Sequence, residues 1–195
     1  MPLPVGHSLM GYALHESVER KHSRFDWKTV LIFAIVANLP DIDFLPGFFA
    51  GDPNKYHHHY LSHSMAFAMF AGSFFGYFYA KWMKKSVLVY FLIFTGVCFS
   101  HLILDYFTLD TSEPKGLPMF WPVSSRYFYS QFSIFMSVHK IGDSATFISS
   151  LFVLHNLWVA LWEIVVFIPV LTIIKLVKHS KKKWAFRLAD EKSRY

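Results

Sequence analysis

The chain has 195 residues, 54% of them hydrophobic and 19% aromatic, with a mean hydropathy of +0.33 and a formal net charge of +6. That composition argues against an ordinary soluble domain and makes the membrane class the first expectation. The single cysteine, Cys98, excludes an intramolecular disulfide and a cysteine-ligated zinc site, so any metal must rest on His and carboxylate groups.

In chain order, the opening "MPLPVGHSLMGYALH" has no basic n-region, no long apolar core and no small-residue cleavage pattern, so it is not read as a signal peptide. From His7 to Asp26 the pattern predicts a short amphipathic helix that packs on the bundle or lies at the interface. The first span is expected over residues 28–40, broken at Pro40 because proline disfavours helix at the residue before it. Further spans are expected over residues 64–82, 86–107 and 151–174, each long enough at roughly 1.5 Å per residue to approach or cross an apolar core of about 30 Å. Residues 111–150 are rich in Pro, Ser and aromatics, and are expected to form a lid with short helices. The expected fold is all-α, a polytopic membrane helical bundle of about four transmembrane helices plus a short N-terminal helix, forming one integral membrane domain over residues 1–195.

Basic residues orient this bundle. Arg20, Lys21, Arg24 and Lys28 precede the first span, Lys81, Lys84 and Lys85 separate the second and third, and a lysine-rich tail follows the last. The positive-inside rule places these segments in the cytoplasm, with the C-terminus inside the cell membrane. Because the charges fall between apolar segments, and not on a basic recognition face, nucleic acid is not an expected partner. The same orientation brings "NLPDID", "HHHYLSHS" and "SHLILDYFTLD" to the extracytoplasmic end of the bundle.

His101 and Asp105 lie four residues apart in an expected helix and share a face, so both can address one ion or each other. A carboxylate within a span costs about 2.5–3.5 kcal/mol, which makes it functional or paired by default. Of His57, His58 and His59, one or two are expected to act with His63, because three consecutive histidines cannot face one ion. Asp41 and Asp43 can bind metal or activate water, or simply terminate a helix in a turn. His7 can complete the ligand set. His15, His22 and His179 are expected on the inner surface, and Glu163, deep in the last span, is expected to find a supporting hydrogen bond. Arg126 is a candidate phosphate clamp or a snorkelling interface residue.

In order, "GHSLMGYALH", "NLPDIDFLPG", "HHYLSHS" and "HLILDYFTLDTSEPKGLPMFWPVSSRYF" resemble the YdjM-like family of membrane-bound metal-dependent hydrolases, from His7 to about Phe128. The resemblance implies polar site positions at His7, Asp41, Asp43, His58, His63, His101 and Asp105. Where that family has Arg-Gly and Thr, this chain has His59, Tyr60 and Ser62, so His59 stands as a candidate substrate contact together with Arg126. The family is in turn distantly similar to zinc-dependent phospholipases C. The expected function is therefore hydrolysis of an ester or phosphoester of a lipid or membrane-associated substrate by metal-activated water. One to three divalent ions are expected, zinc first, with manganese or iron as substitutes. Asp41 or Asp43 is expected to ligate metal or act as general base. The competing expectations are a non-enzymatic metal-binding or transport protein, and a structural membrane protein whose polar clusters knit helix ends together.

Overall fold

The computed structural model describes residues 1–18, 26–58, 61–109 and 115–192. Arg20, Lys21, His22, Arg24, His59, Tyr60 and Arg194 lie outside the described residues. The N-terminal helix α1 is Pro4–Val18, opening on a proline whose missing N–H costs nothing in the first turn. Helix α2, Trp27–Ala37, is capped by Asp26, which accepts from Lys28 N and Thr29 Oγ1. It stops at Asn38, whose Nδ2 donates to Ala34 O (2.8 Å) and to Ser8 Oγ (3.0 Å), tying the helix end to α1. Pro40 then enforces a 3-10 turn, Leu39–Asp43, that runs into the short helix α3, Phe44–Phe49.

Helix α4, Met65–Trp82, begins at Ser64, whose hydroxyl accepts from Phe67 N. It pairs with α5, Val87–Tyr106. Ala68, Gly72, Gly76 and Ala80 recur every fourth residue, and a Cβ on Gly76 would lie 2.6 Å from Phe91 N, so the two backbones touch as in small-residue membrane seams. Phe33, Phe94, Val97 and Cys98 fill the space between α2 and this pair, with the Phe33 and Phe94 rings 4.9 Å apart. After the short helix α6, Phe147–Ser150, the chain ends in α7, Leu154–Lys192. Among the described residues there is no strand, only isolated bridges between Thr108 and Phe135 and between Leu117 and Phe128.

Two helices are long and apolar enough to cross a membrane, α5 and the Leu154–Lys181 part of α7. The bent pair Trp27–Ala37 and Leu39–Phe49, with 55° between its arms, makes a third if it acts as one broken span. The expected span at 64–82 is helical, but its glycines, tyrosines and Lys81 make α4 less apolar than the other two. The last helix does not stop at 174, because lysine is a good helix former and its charges do not interrupt the backbone ladder. Leu154, Trp158, Ile168 and Ile173 of α7 are exposed, as a lipid-facing surface requires. Between Phe107 and Leu154 the described chain is mostly irregular, with α6 as its one helix.

Candidate metal centre

Four segments converge at one end of the bundle. The α1 helix brings His7, the turn after α2 brings Asp41 and Asp43, the loop before α4 brings His57, His58 and His63, and α5 brings His101 and Asp105. His7, His63 and His101 have no solvent exposure, while Asp41 and Asp43 are partly open.

Asp43 is the organising carboxylate. Its Oδ1 faces His57 Nδ1 (3.2 Å), and its Oδ2 meets His63 Nδ1 (2.9 Å), the His58 backbone N–H (3.0 Å) and the Ser62 hydroxyl (3.1 Å). With their Nδ1 atoms engaged, His57 and His63 turn Nε2 away from Asp43. On α5, His101 Nδ1 donates to Ala37 O (2.8 Å), the carbonyl that the end of α2 leaves without a helical partner. That contact fixes the His101 tautomer and aims its Nε2 inward. His58 has a φ of +62°, a left-handed conformation costing a branched or bulky residue about 1–3 kcal/mol and typical of ligand clamps.

The aimed atoms meet around Asp105. Its Oδ2 lies 3.1 Å from His101 Nε2, 3.5 Å from His63 Nε2 and 3.6 Å from His58 Nε2, and its Oδ1 lies 3.6 Å from His7 Nε2. Asp41 Oδ1 is 3.5 Å from His101 Nε2 and 3.8 Å from His63 Nε2. The His7 ring stacks on His101 at 3.6 Å between centroids. Both oxygens of Asp105, both ring nitrogens of His7, and the Nε2 atoms of His57, His63 and His101 are buried without a hydrogen-bond partner. Native interiors rarely tolerate such a concentration of unsatisfied polar atoms, and a buried charge is paired or coordinates a metal. Imidazoles that converge on carboxylates with their other nitrogens hydrogen-bonded outward could hold a metal ion.

Four groups of three have ligand atoms within 4.8 Å of one another: His57, His58 and His63; His7, His101 and Asp105; Asp41, His63 and His101; and Asp41, Asp43 and His57. The first two share no residue and are wholly buried, and they meet where His58 and His63 approach Asp105. Burial pushes His58 down to about 4, against the pull of Asp105, and holds His57 well below the usual imidazole range. His63 is the exception among the loop residues: burial would lower it, but the carboxylates of Asp43 and Asp105 prevail and raise it to about 9.

Of the residues singled out from sequence, His7, Asp41, Asp43, His58, His63, His101 and Asp105 are therefore together, and His59 lies outside the described residues. Arg126 is exposed on the irregular connection. His57, weighed only as one of three neighbouring histidines, is buried, bonded to Asp43 and stacked on Phe44 at 4.1 Å. Sequence offered no way to choose among three adjacent imidazoles, because the choice depends on the turn at His58. His15, expected on the surface, is buried beside Phe33, with ring centroids 5.1 Å apart, since α1 packs flat on α2. Lys140, which the sequence did not single out, reaches the rim, with its ammonium 5.0 Å above the Phe44 ring.

The family model of the YdjM inner membrane protein matches residues 1–182. No curated protein and no solved structure gives a match.

Proposed function

The chain belongs to the YdjM inner membrane protein family, and from that premise we propose that it is an integral membrane metal-dependent hydrolase. Its substrate is an ester or phosphoester of a lipid or membrane-associated molecule. The observation that carries this reading is the pair of disjoint buried triads, His57–His58–His63 and His7–His101–Asp105, whose ligand atoms converge with almost no hydrogen bonds of their own. The donor set is imidazole and carboxylate only, which suits zinc first and manganese or iron next. A divalent ion held there supplies the Lewis acidity that makes water a nucleophile at neutral pH.

The chain's own groups divide the remaining work. Asp105, a member of the second triad that also reaches His58 and His63 of the first, would balance the charge of the bound ion or ions. Asp43 spends its oxygens on His57, His58, Ser62 and His63, and so orients ligands and is not free to take a proton. Asp41 is more exposed, at 14% against none for Asp105, and stands next to His63 and His101, so it is the group placed to accept a proton from attacking water. Lys140 at the rim favours an anionic substrate, which supports a phosphoester.

The cluster also lies far from the lysine-rich end of the bundle. Helices α1 and α7 run in the same direction from the Gly6–Glu163 contact to the Lys178–Glu16 ion pair at 3.1 Å, and the lysines lie at that far end. By the positive-inside rule this supports a cytoplasmic C-terminus and an extracytoplasmic site.

The test is metal content together with hydrolysis. Protein purified in detergent and stripped of loosely held ions is expected to retain stoichiometric metal by elemental analysis and to cleave at least one member of a phospholipid and phosphoester panel. Asp105→Asn is expected to lose both while remaining in the membrane fraction. Wild-type protein without bound metal overturns the reading, and metal without hydrolysis of any panel member favours the non-enzymatic metal-binding alternative.

A further inference from the structure

Glu163 lies in the first third of α7 and is completely buried, although the cluster does not use it as a ligand. Its two oxygens accept from the Leu3 N–H (2.6 Å) and the Gly6 N–H (2.8 Å), at the first turn of α1. A helix leaves its first N–H groups unpaired and carries partial positive charge there, so a carboxylate from another helix satisfies both needs. Gly6 makes room for it: a Cβ at that position would lie 2.9 Å from Glu163 Oε2 and 3.1 Å from Cδ.

The next residue is His7. The other histidines of the cluster with known partners are oriented from behind, His57 and His63 by Asp43 and His101 by Ala37 O. Neither ring nitrogen of His7 has a hydrogen-bond partner. Its place is therefore set by its stacking on His101 and by where α1 sits. The contacts that seat α1 on α7 are those of Glu163 with Leu3 and Gly6, of Phe167 beside Leu9 and Met10, and, at the far end, the partly exposed Lys178–Glu16 ion pair. In lipid the apolar contacts gain little over contacts with acyl chains and allow sliding along the helix axis; the Lys178–Glu16 pair ties the far end of α1, and the two hydrogen bonds of the buried Glu163 carboxylate fix the end that carries His7.

From this we infer that Glu163 is the positioning residue for His7, locking α1 in register on α7 so that His7 reaches the metal centre. The inference rests on the metal-site reading and extends it to a residue outside the ligand shell. Its test uses Co2+ bound to the full-length protein, whose visible spectrum reports the ligand set. Glu163→Ala is expected to weaken Co2+ binding by about 10–100-fold, the range for groups that support a ligand. It is expected to shift the spectrum as His7→Ala does, and the double variant is expected to bind no more weakly than His7→Ala alone. Glu163→Gln, which keeps one acceptor oxygen, is expected to fall between wild type and Glu163→Ala. Gly6→Ala disturbs the same contact from the other side and is expected to give the same spectral change, which covers the case in which Glu163→Ala does not fold.

Two results would overturn the inference alone. One is a Glu163→Ala protein that is less heat-stable but keeps wild-type affinity and spectrum; the other is full additivity of the two losses in the double variant. Wild-type protein that takes up no Co2+ overturns the underlying site and this inference together.

Discussion

Helix α5 contains two kinds of burial within a few turns. Phe94, Val97 and Cys98 have no solvent exposure and are surrounded by apolar neighbours from α2 and α4, so that stretch is complete in the chain's own atoms. His101 and Asp105, a turn or two further on, are just as buried, but their inward-facing atoms meet other lone pairs and negative charge. Equal burial thus has opposite meanings. The first half stores packing energy, and the second half gathers imidazole and carboxylate atoms that could hold a metal ion.

This contrast can be broken most strongly in the apolar half. Phe94→Ala is expected to destabilise the protein by about 3–5 kcal/mol, the range for a large aromatic lost from a tight core. Its metal content per folded molecule should stay unchanged, as read by thermal unfolding and elemental analysis of the same samples. If metal is lost in proportion to stability, the two halves are not separable.

The polar half is expected to respond in the reverse way. Stripping metal with a chelator removes the stabilisation that free metal confers, about 2.7 kcal/mol when free metal stands at 100 times its dissociation constant. The unfolding temperature should fall in wild type and stay unmoved by the chelator in Asp105→Asn. A chelator that leaves wild-type unfolding unchanged would mean that the cluster holds itself together.

A smaller effect separates the ligands from their support. Asp43→Asn keeps the shape of the side chain and weakens its grip on His57 and His63, so metal affinity is expected to drop about 10–100-fold, without the complete loss expected for Asp105→Asn. Competition against a chromophoric chelator would measure it, and a loss equal to that of Asp105→Asn would make Asp43 a ligand.

The smallest expected effect is the pH dependence. His63 stands at about 9 in the metal-free protein, above the usual 6.5. Its proton therefore stabilises the metal-free fold fully below about 6.5, and that contribution is lost as pH rises through about 9. Metal must displace the same proton, so affinity is expected to rise by up to about tenfold per pH unit until about 9. Titration calorimetry in buffers of different ionisation enthalpy would show the released proton, and pH-independent affinity would remove His63 from the ligand set.

Much of this was readable beforehand because its cause is local. The break after α2 follows from Pro40, the His101–Asp105 pairing from helical spacing, and the membrane class from uninterrupted apolar runs in α5 and α7. The span count was less readable, since α4 trades apolarity for the small residues that let it touch α5, and hydropathy cannot tell a lipid-facing helix from a helix-facing one. The division of labour between Asp41 and Asp43 was equally hidden: two carboxylates two residues apart look alike until the loop carrying Ser62 and His63 closes over one of them.

The sequence by itself determined which side chains could make a metal site and that the chain belongs in a membrane, because residue type and short spacing act within one helix or one turn. Only the tertiary structure decided that His57 and His58 both turn inward, which carboxylate is spent on support, and that Glu163 holds the start of α1. Those outcomes depend on hydrogen bonds between segments as many as 160 residues apart, and no local pattern encodes where a donor on one helix will find its acceptor on another.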